Sequence, residues 1–152
     1  MARFNSDGLQ KLIDEMEKMG QTSGAIAEAM VNQAVVIIKD SWQESVNEHG
    51  LIETGAMLKS IGSPQPVKRM GDILYRDVYP QGKDKSGTRN AEKAFILNYG
   101  TSRIKATHWV DEAESNADGR VMSALDAMWD QYLDSGGVVP PVNDTAGLTH
   151  KK

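Results

Sequence analysis

The sequence predicts a single α+β domain in which a small antiparallel sheet packs against two or three long helices, followed by a flexible C-terminal arm. Long stretches near both ends repeat apolar residues at helical spacing, whereas the centre alternates with a period of two around Gly71. From Ser135 onward the chain is rich in Gly and Pro and has no periodicity. Its 152 residues suit one domain, so we expect residues 1–134 to form it and residues 135–152 to be irregular or flexible.

Two helices are predicted in the first third of the chain. The stretch from Leu9 to Met19 carries one apolar face, and Gly20 is expected to end that helix. A second helix is predicted from Ser23 to Asn47, with Thr22 or Ser23 as its N-cap. Its apolar stripe comprises Ile26, Met30, Ala34, Ile37, Ile38 and Trp42. We expect most of this stripe to face the domain core; the alternative is that one face of so long a helix serves another subunit.

A short amphipathic turn and a hairpin are expected next. Thr54 can cap a turn from Ala56 to Ile61. Pro66–Met70 and Asp72–Tyr79 are predicted to pair as antiparallel strands around Gly71. The following segment, Pro80–Arg89, is polar and rich in Gly and Lys, which predicts an exposed loop.

The segment Asn90–Tyr99 fits both a short helix and a buried strand, and its length does not decide between them. We favour the helix, ended by Gly100. Ser102–Thr107 is then expected to be a strand. The last helix is predicted from Trp109 to Leu133, with a kink or break near Gly119 because glycine weakens a helix interior by roughly 1 kcal/mol relative to alanine.

Composition excludes several classes of function. The chain lacks cysteine, so disulfides and thiolate metal sites are impossible. A net charge of −4 argues against a dedicated DNA-binding domain, though not against a protein that surrounds DNA. The longest apolar run, Ala34–Ile38, is too short to span a bilayer, and the first ten residues lack the apolar core of a signal peptide. We therefore expect a soluble protein made in the cytoplasm.

No arrangement of residues predicts catalysis, a cofactor or a metal site. The three histidines are isolated from one another, whereas zinc needs converging ligands. The cluster Asp111, Glu112 and Glu114 could form an acid/base pair, but acidic residues in a first helical turn also suit the helix dipole, and we favour that explanation. Gly82–Thr88 (GKDKSGT) lacks the spacing of a phosphate-binding loop.

The middle of this acidic chain has a basic bias, carried by Lys83, Lys85, Arg89, Lys93, Arg103 and Lys105. A solvated face that balances the acidic helices is the favoured explanation. The alternative is a surface that faces DNA in a channel or an acidic partner.

Two segments resemble the small tail-completion or neck proteins of tailed bacteriophages, the group that includes minor tail protein Z of lambda-like phages. Glu53–Ile61 (ETGAMLKSI) is similar to that family's "TG-x-L-x-x-S-I" signature. Asn90–Thr101 (NAEKAFILNYGT), followed by Ala106–Trp109, is similar to its second pattern, an apolar run with an aromatic residue and Gly-Thr before the last helix. Asn98 stands where the family often has Glu, and Ala106–Trp109 lacks the usual Pro.

The resemblance implies an α+β fold and a structural, non-catalytic role in the virion, at the neck or tail top, with assembly in the host cytoplasm. Its implied partners are further copies of itself in a ring, commonly six-fold, and neighbouring tail-tube, tail-terminator or connector proteins. DNA would pass through the channel without sequence-specific binding, and no membrane is involved. Rival functions are a tail-terminator or head-closure ring protein, a small DNA-binding factor and an enzyme.

The segment Asn90–Glu114 is expected to supply or brace a contact between ring subunits, because a closed ring needs two different complementary patches. The loop Pro80–Arg89 and the arm from Ser135 are expected to reach neighbouring rings. The candidate interaction or structural residues are Thr54, Gly55, Leu58, Ile61, Lys83, Lys85, Arg89, Phe95, Tyr99, Gly100, Thr101 and Trp109.

Overall fold

The computed structural model describes residues 6–51, 55–71 and 73–143, and it confirms the α+β class. Within these residues the helices are α1 (Ser6–Glu48), α2 (Ala56–Ser60), α3 (Asn90–Tyr99) and α4 (Trp109–Asp134). The strands are β1 (Ile61–Gly62), β2 (Lys68–Met70), β3 (Ile73–Tyr75) and β4 (Tyr79–Pro80). The predicted cap Thr54 and the arm beyond Asn143 lie outside the described residues.

The two long helices α1 and α4 pack as an antiparallel pair. The Ser45 hydroxyl donates a 2.6 Å hydrogen bond to the Trp109 carbonyl, which places the end of α1 beside the start of α4. At the opposite end the Tyr132 hydroxyl donates to the Met19 carbonyl at 2.5 Å. Ala113 is fully buried along this contact, where small side chains let two helices approach closely.

The predicted helix end at Gly20 is wrong, because α1 continues for 43 residues, roughly 65 Å, through both predicted helices. Thr22 does not cap a new helix. Its hydroxyl bonds back to the Lys18 carbonyl at 3.1 Å and lies 2.7 Å from the Tyr132 hydroxyl of α4. Ser23 likewise donates to the Gly20 carbonyl. Packing against α4 therefore outweighs the low helix propensity of glycine.

The predicted hairpin is present around Gly71, with Lys68 paired to Tyr75 and Met70 to Ile73. The second predicted strand is too long, however, because the chain leaves the ladder at Arg76. The Arg76 guanidinium donates to the carbonyls of Gln65 and Ser63 and to Asn32 Oδ1 of α1.

Tyr79 belongs to a separate strand instead. It lies in β4, which pairs antiparallel with β1, so that Ile61 faces Pro80. This pairing joins residues on either side of the hairpin, and the sequence pattern did not predict it.

The core lies where the end of α1, α2, α3 and the start of α4 meet. It is built from Val46, Met57, Ile61, Ala94 and Trp109. Leu58 and Trp42 pack against this cluster from its edge. The α4 helix continues through Gly119, contrary to the expected break. No helix among the described residues has the length and apolarity to cross a membrane.

From Ser135 to Asn143 the C-terminal arm forms no helix or strand, but it is held against the helices. Gly137 donates to the Tyr132 carbonyl at 2.9 Å, directly after α4. Further along, Asn143 and Gln33 of α1 exchange two hydrogen bonds, of 2.8 and 3.2 Å. The arm up to this point is therefore part of the folded unit.

Candidate interaction surface at the α3–α4 turn

The chain between α3 and α4, residues 100–108, is called the α3–α4 turn below. The helical interpretation of Asn90–Tyr99 is confirmed. Gly100 ends α3 by donating to the Ile96 carbonyl at 2.7 Å. Its backbone has φ 75° and ψ −179°, a region essentially reserved for glycine. A Cβ there would lie 2.6 Å from both the Ala106 nitrogen and the Ile104 oxygen.

The predicted strand Ser102–Thr107 is wrong, because the chain reverses direction immediately after Gly100. The Thr101 side-chain oxygen accepts hydrogen bonds from the amides of Arg103 and Ile104, at 3.2 and 3.0 Å. The Thr101 amide donates to the Ile104 carbonyl at 2.8 Å. Side-chain turns of this kind compete with extended structure. Thr101 thus has a structural role in shaping the turn.

Asn98 joins α3 to α4. It is 2% exposed, and its side-chain oxygen accepts a 2.9 Å hydrogen bond from the Val110 amide in the first turn of α4. The N-cap residue itself, His108, adopts a left-handed conformation with φ 55° and offers no side-chain cap. Asn98 therefore supplies the acceptor that a helix N-terminus needs. The only sign of this role in the sequence is that Asn98 is a polar residue directly after the apolar run Ala94–Leu97.

Trp109 lies entirely in the core, with 0% exposure, and so has no direct contact with solvent or a partner. Its indole nitrogen donates to the Ala94 carbonyl at 3.3 Å. Its ring meets Trp42 of α1 edge-on, with centroids 5.5 Å apart. Among the other candidates, Ile61 and Leu58 also belong to the core region, and Gly55 provides a left-handed turn before α2 with φ 74°.

The remaining candidates reach the surface around α3. Phe95 and Tyr99 are 63% and 58% exposed, and their ring centroids lie 4.8 Å apart. The α3–α4 turn, which directly follows Tyr99, also exposes Arg103, Ile104 and Lys105. We call these five residues the basic aromatic surface. A contiguous patch of large exposed apolar side chains marks an interaction site more often than a single exposed apolar side chain does.

The predicted loop Pro80–Arg89 is wrong at its first residue, because Pro80 belongs to β4. The rest of this segment exposes Lys83, Lys85 and Arg89, and its backbone is ordered around Asp84. One carboxylate oxygen of Asp84 accepts hydrogen bonds from the amides of Ser86 and Thr88, each at 2.9 Å.

The other oxygen of Asp84 forms an ion pair with Lys93 of α3. The Lys93 contact, helped by Ser86 and Thr88, holds the pKa of Asp84 well below its ordinary value of 3.8. The loop amides that a phosphate would need are therefore bound to the chain's own carboxylate.

The histidines and carboxylates at the start of α4 form two separate pairs. His49 Nε2 lies 2.5 Å from Glu112 Oε2, which links the end of α1 to α4. His108 Nδ1 lies 3.1 Å from Asp111 Oδ2. In the part of the chain that the structure describes, no three such residues are grouped to hold a metal ion. The acidic residues occupy the first helical turn, where the dipole favours them.

A second exposed apolar feature lies on α4 and was not predicted. Met122, Trp129 and Leu133 recur at helical spacing and are exposed. Asp126 and Asp130 lie among them and are also exposed. We call these five residues the acidic apolar stripe. Trp129 and Leu133 each directly follow a buried residue, Met128 and Tyr132. The apolar pattern of the sequence therefore did not distinguish the buried face of α4 from the exposed one.

Comparisons of the chain with protein-family models, with curated protein sequences and with solved structures find no match.

Proposed function

We propose that the chain is a structural virion protein of a tailed-phage neck or tail top, where it forms a ring that completes the tail and joins it to the head connector. One observation carries the proposal: the Gly100–Thr101 turn, the centre of the resemblance to tail-completion proteins, rigidly holds an exposed aromatic surface on α3 against α4. A ring subunit needs such a fixed surface, because each contact must repeat with the same geometry until the ring closes.

The architecture supports a contact role at several levels. Asn98 and Trp109 fix α3 to the start of α4, and Ser45 fixes that start to α1. The basic aromatic surface is therefore anchored to the longest helix of the molecule. Preorganised surfaces bind with less loss of conformational entropy than mobile ones.

Other rings of the same particle remain alternatives, namely the tail terminator and the head-closure ring. A small DNA-binding factor is the candidate from a different class, favoured by the exposed Lys83, Lys85 and Arg89. Salt-dependent binding of duplex DNA by the purified protein would identify that function. DNA that only passes through a ring channel requires no such affinity.

Light scattering on the purified chain, alone and mixed with tail tubes, tests the proposal. We expect a closed oligomer, with six copies matching tail symmetry, either alone or upon addition of tubes. Gly100→Val should reduce assembly more than His49→Ala or His108→Ala, which remove one side-chain contact each, to Glu112 and to Asp111. A chain that stays monomeric at every concentration, with and without tubes, would contradict the ring.

A further inference from the structure

We propose that the ring contact, which rests on the function proposed above, is a head-to-tail contact between two different surfaces of the same chain. The basic aromatic surface of one copy would bind the acidic apolar stripe of the next. The occupant of each surface is therefore a second copy of this protein. Charge, exposed apolar groups and the position of the two surfaces along α4 lead to this assignment.

Charge is strongly divided between the two regions. Residues 82–105 contain six basic and two acidic side chains, whereas residues 118–134, the part of α4 that carries the stripe, contain four acidic and one basic. The ion pair between Asp84 and Lys93 removes one charge of each sign from the first region, which leaves five basic and one acidic side chain. Opposite potentials on separate surfaces favour contact between unlike surfaces, whereas two copies of one surface would repel each other. A two-fold dimer through either surface is thus disfavoured.

Both surfaces also carry the residue types that anchor interfaces. Phe95 and Tyr99 form an exposed pair on α3, with their rings tilted by 53° to each other. On α4, Trp129 stacks on the buried Tyr132, with ring centroids 5.5 Å apart, while its own ring stays exposed. Aromatic residues that are held in place before binding commonly provide most of an interface's energy.

The two surfaces cannot meet within one molecule. The α3–α4 turn leads directly into Trp109, whereas the stripe extends from Met122 to Leu133 on the same unbroken helix. At 1.5 Å per residue the stripe lies roughly 20–36 Å along the axis from the turn. Contact between unlike surfaces of separate copies is heterologous, and it produces a closed ring where the rotation between copies closes.

Charge reversal on each side tests the pairing. The first variant is Arg103→Glu with Lys105→Glu, and the second is Asp126→Lys with Asp130→Lys. All four side chains are exposed, so both variants should keep the wild-type circular dichroism and thermal midpoint. A matched control for the second variant, Glu28→Lys with Glu48→Lys, makes the same change of charge at exposed positions of α1.

We expect each of the two variants alone to lose assembly in light scattering, while the control assembles normally. A 1:1 mixture of the two, and a single chain carrying all four changes, should both recover it, since each then pairs opposite charges again. Phe95→Ala and Trp129→Ala should each weaken association by about 30-fold or more.

Three results would overturn the pairing while leaving the ring itself intact. The first is that either variant assembles like the wild type. The second is that both fail and neither the mixture nor the fourfold variant recovers. The third is salt-dependent duplex DNA binding that disappears in the Arg103→Glu, Lys105→Glu variant, which would make DNA the occupant of the basic aromatic surface. A wild-type chain that never assembles would instead contradict the proposed function.

Discussion

Replacing Gly100 by alanine should destabilise the protein far more than the added methyl group suggests. The backbone at Gly100 lies at φ 75° and ψ −179°, where a non-glycine residue costs of order 1–3 kcal/mol. The new Cβ would also lie 2.6 Å from the Ala106 nitrogen and the Ile104 oxygen. Both are backbone atoms, so no side-chain rotation can relieve the collision.

Relief requires the α3–α4 turn to move away from α3, which would weaken the hydrogen bond from the Thr107 amide to the Leu97 carbonyl and that from the His108 amide to the Asn98 carbonyl. Each such bond contributes about 1 kcal/mol net, so together with the conformational penalty the total loss is about 3–5 kcal/mol. For a chain of this length, that corresponds to a fall of roughly 10 °C in the thermal midpoint.

Urea denaturation of the Gly100→Ala protein measures this loss directly, and Gly50→Ala is the matched control. Gly50 also has a positive φ, 64°, but nothing lies within 4 Å of the position that its Cβ would occupy. The control should lose only the conformational penalty, about 1 kcal/mol. If the two variants lose the same free energy of unfolding, the close approach at Gly100 does not constrain the turn and the reasoning is refuted.

Three further changes test other parts of the structure. Gly119→Ala should raise the free energy of unfolding by up to about 1 kcal/mol in urea denaturation, since Gly119 lies inside an unbroken helix with nothing near its Cβ position; a loss would indicate a kink. Asn98→Ala should lower the free energy of unfolding by about 2 kcal/mol, because the partly buried Val110 amide loses its hydrogen-bond acceptor. Glu92→Ala is the exposed control on α3. Asp84→Asn should destabilise the chain at neutral pH. Because folding lowers the pKa of Asp84, its ion pair stabilises the fold fully at pH values above the ordinary pKa of 3.8, and this stabilisation is lost as the pH falls through the lowered pKa. The free energies of unfolding of wild type and variant should therefore converge in acid, and a difference that stays constant with pH would contradict this.

The helices and strands were predicted best where a periodic apolar pattern extends over many residues. The stripe from Ile26 to Trp42 and the series after Trp109 gave the two long helices, and Gly71 gave the hairpin turn. The end of α1 at Gly20 was mispredicted because local propensity ignores Tyr132, which lies more than a hundred residues away and bonds to this stretch. The β1–β4 pair was missed for the same reason, since two-residue strands have no pattern to detect.

The candidate site was predicted in part. The segment after Asn90 was recognised as a unit that fixes a loop against a helix, and Gly100 and Thr101 do shape its turn. The residue types alone could not separate Trp109, which is buried, from Phe95, which is exposed. That distinction depends on how α3 is rotated against the core, and rotation follows from the Asn98 contact with α4 rather than from spacing.

The buried contacts around α4 determine what its exposed side can do. Ser41 and Ser45 donate to the carbonyls of Ala113 and Trp109, and Tyr132 bonds to α1 at the far end, so α4 is fixed both along its axis and about it. Trp129 and its neighbours are therefore presented at a set angle to the basic aromatic surface, which is anchored to the same helix through Asn98. In a repeating head-to-tail contact, the angle between the two surfaces of one copy fixes the rotation between successive copies. The internal packing of a single chain would then determine how many copies close the ring.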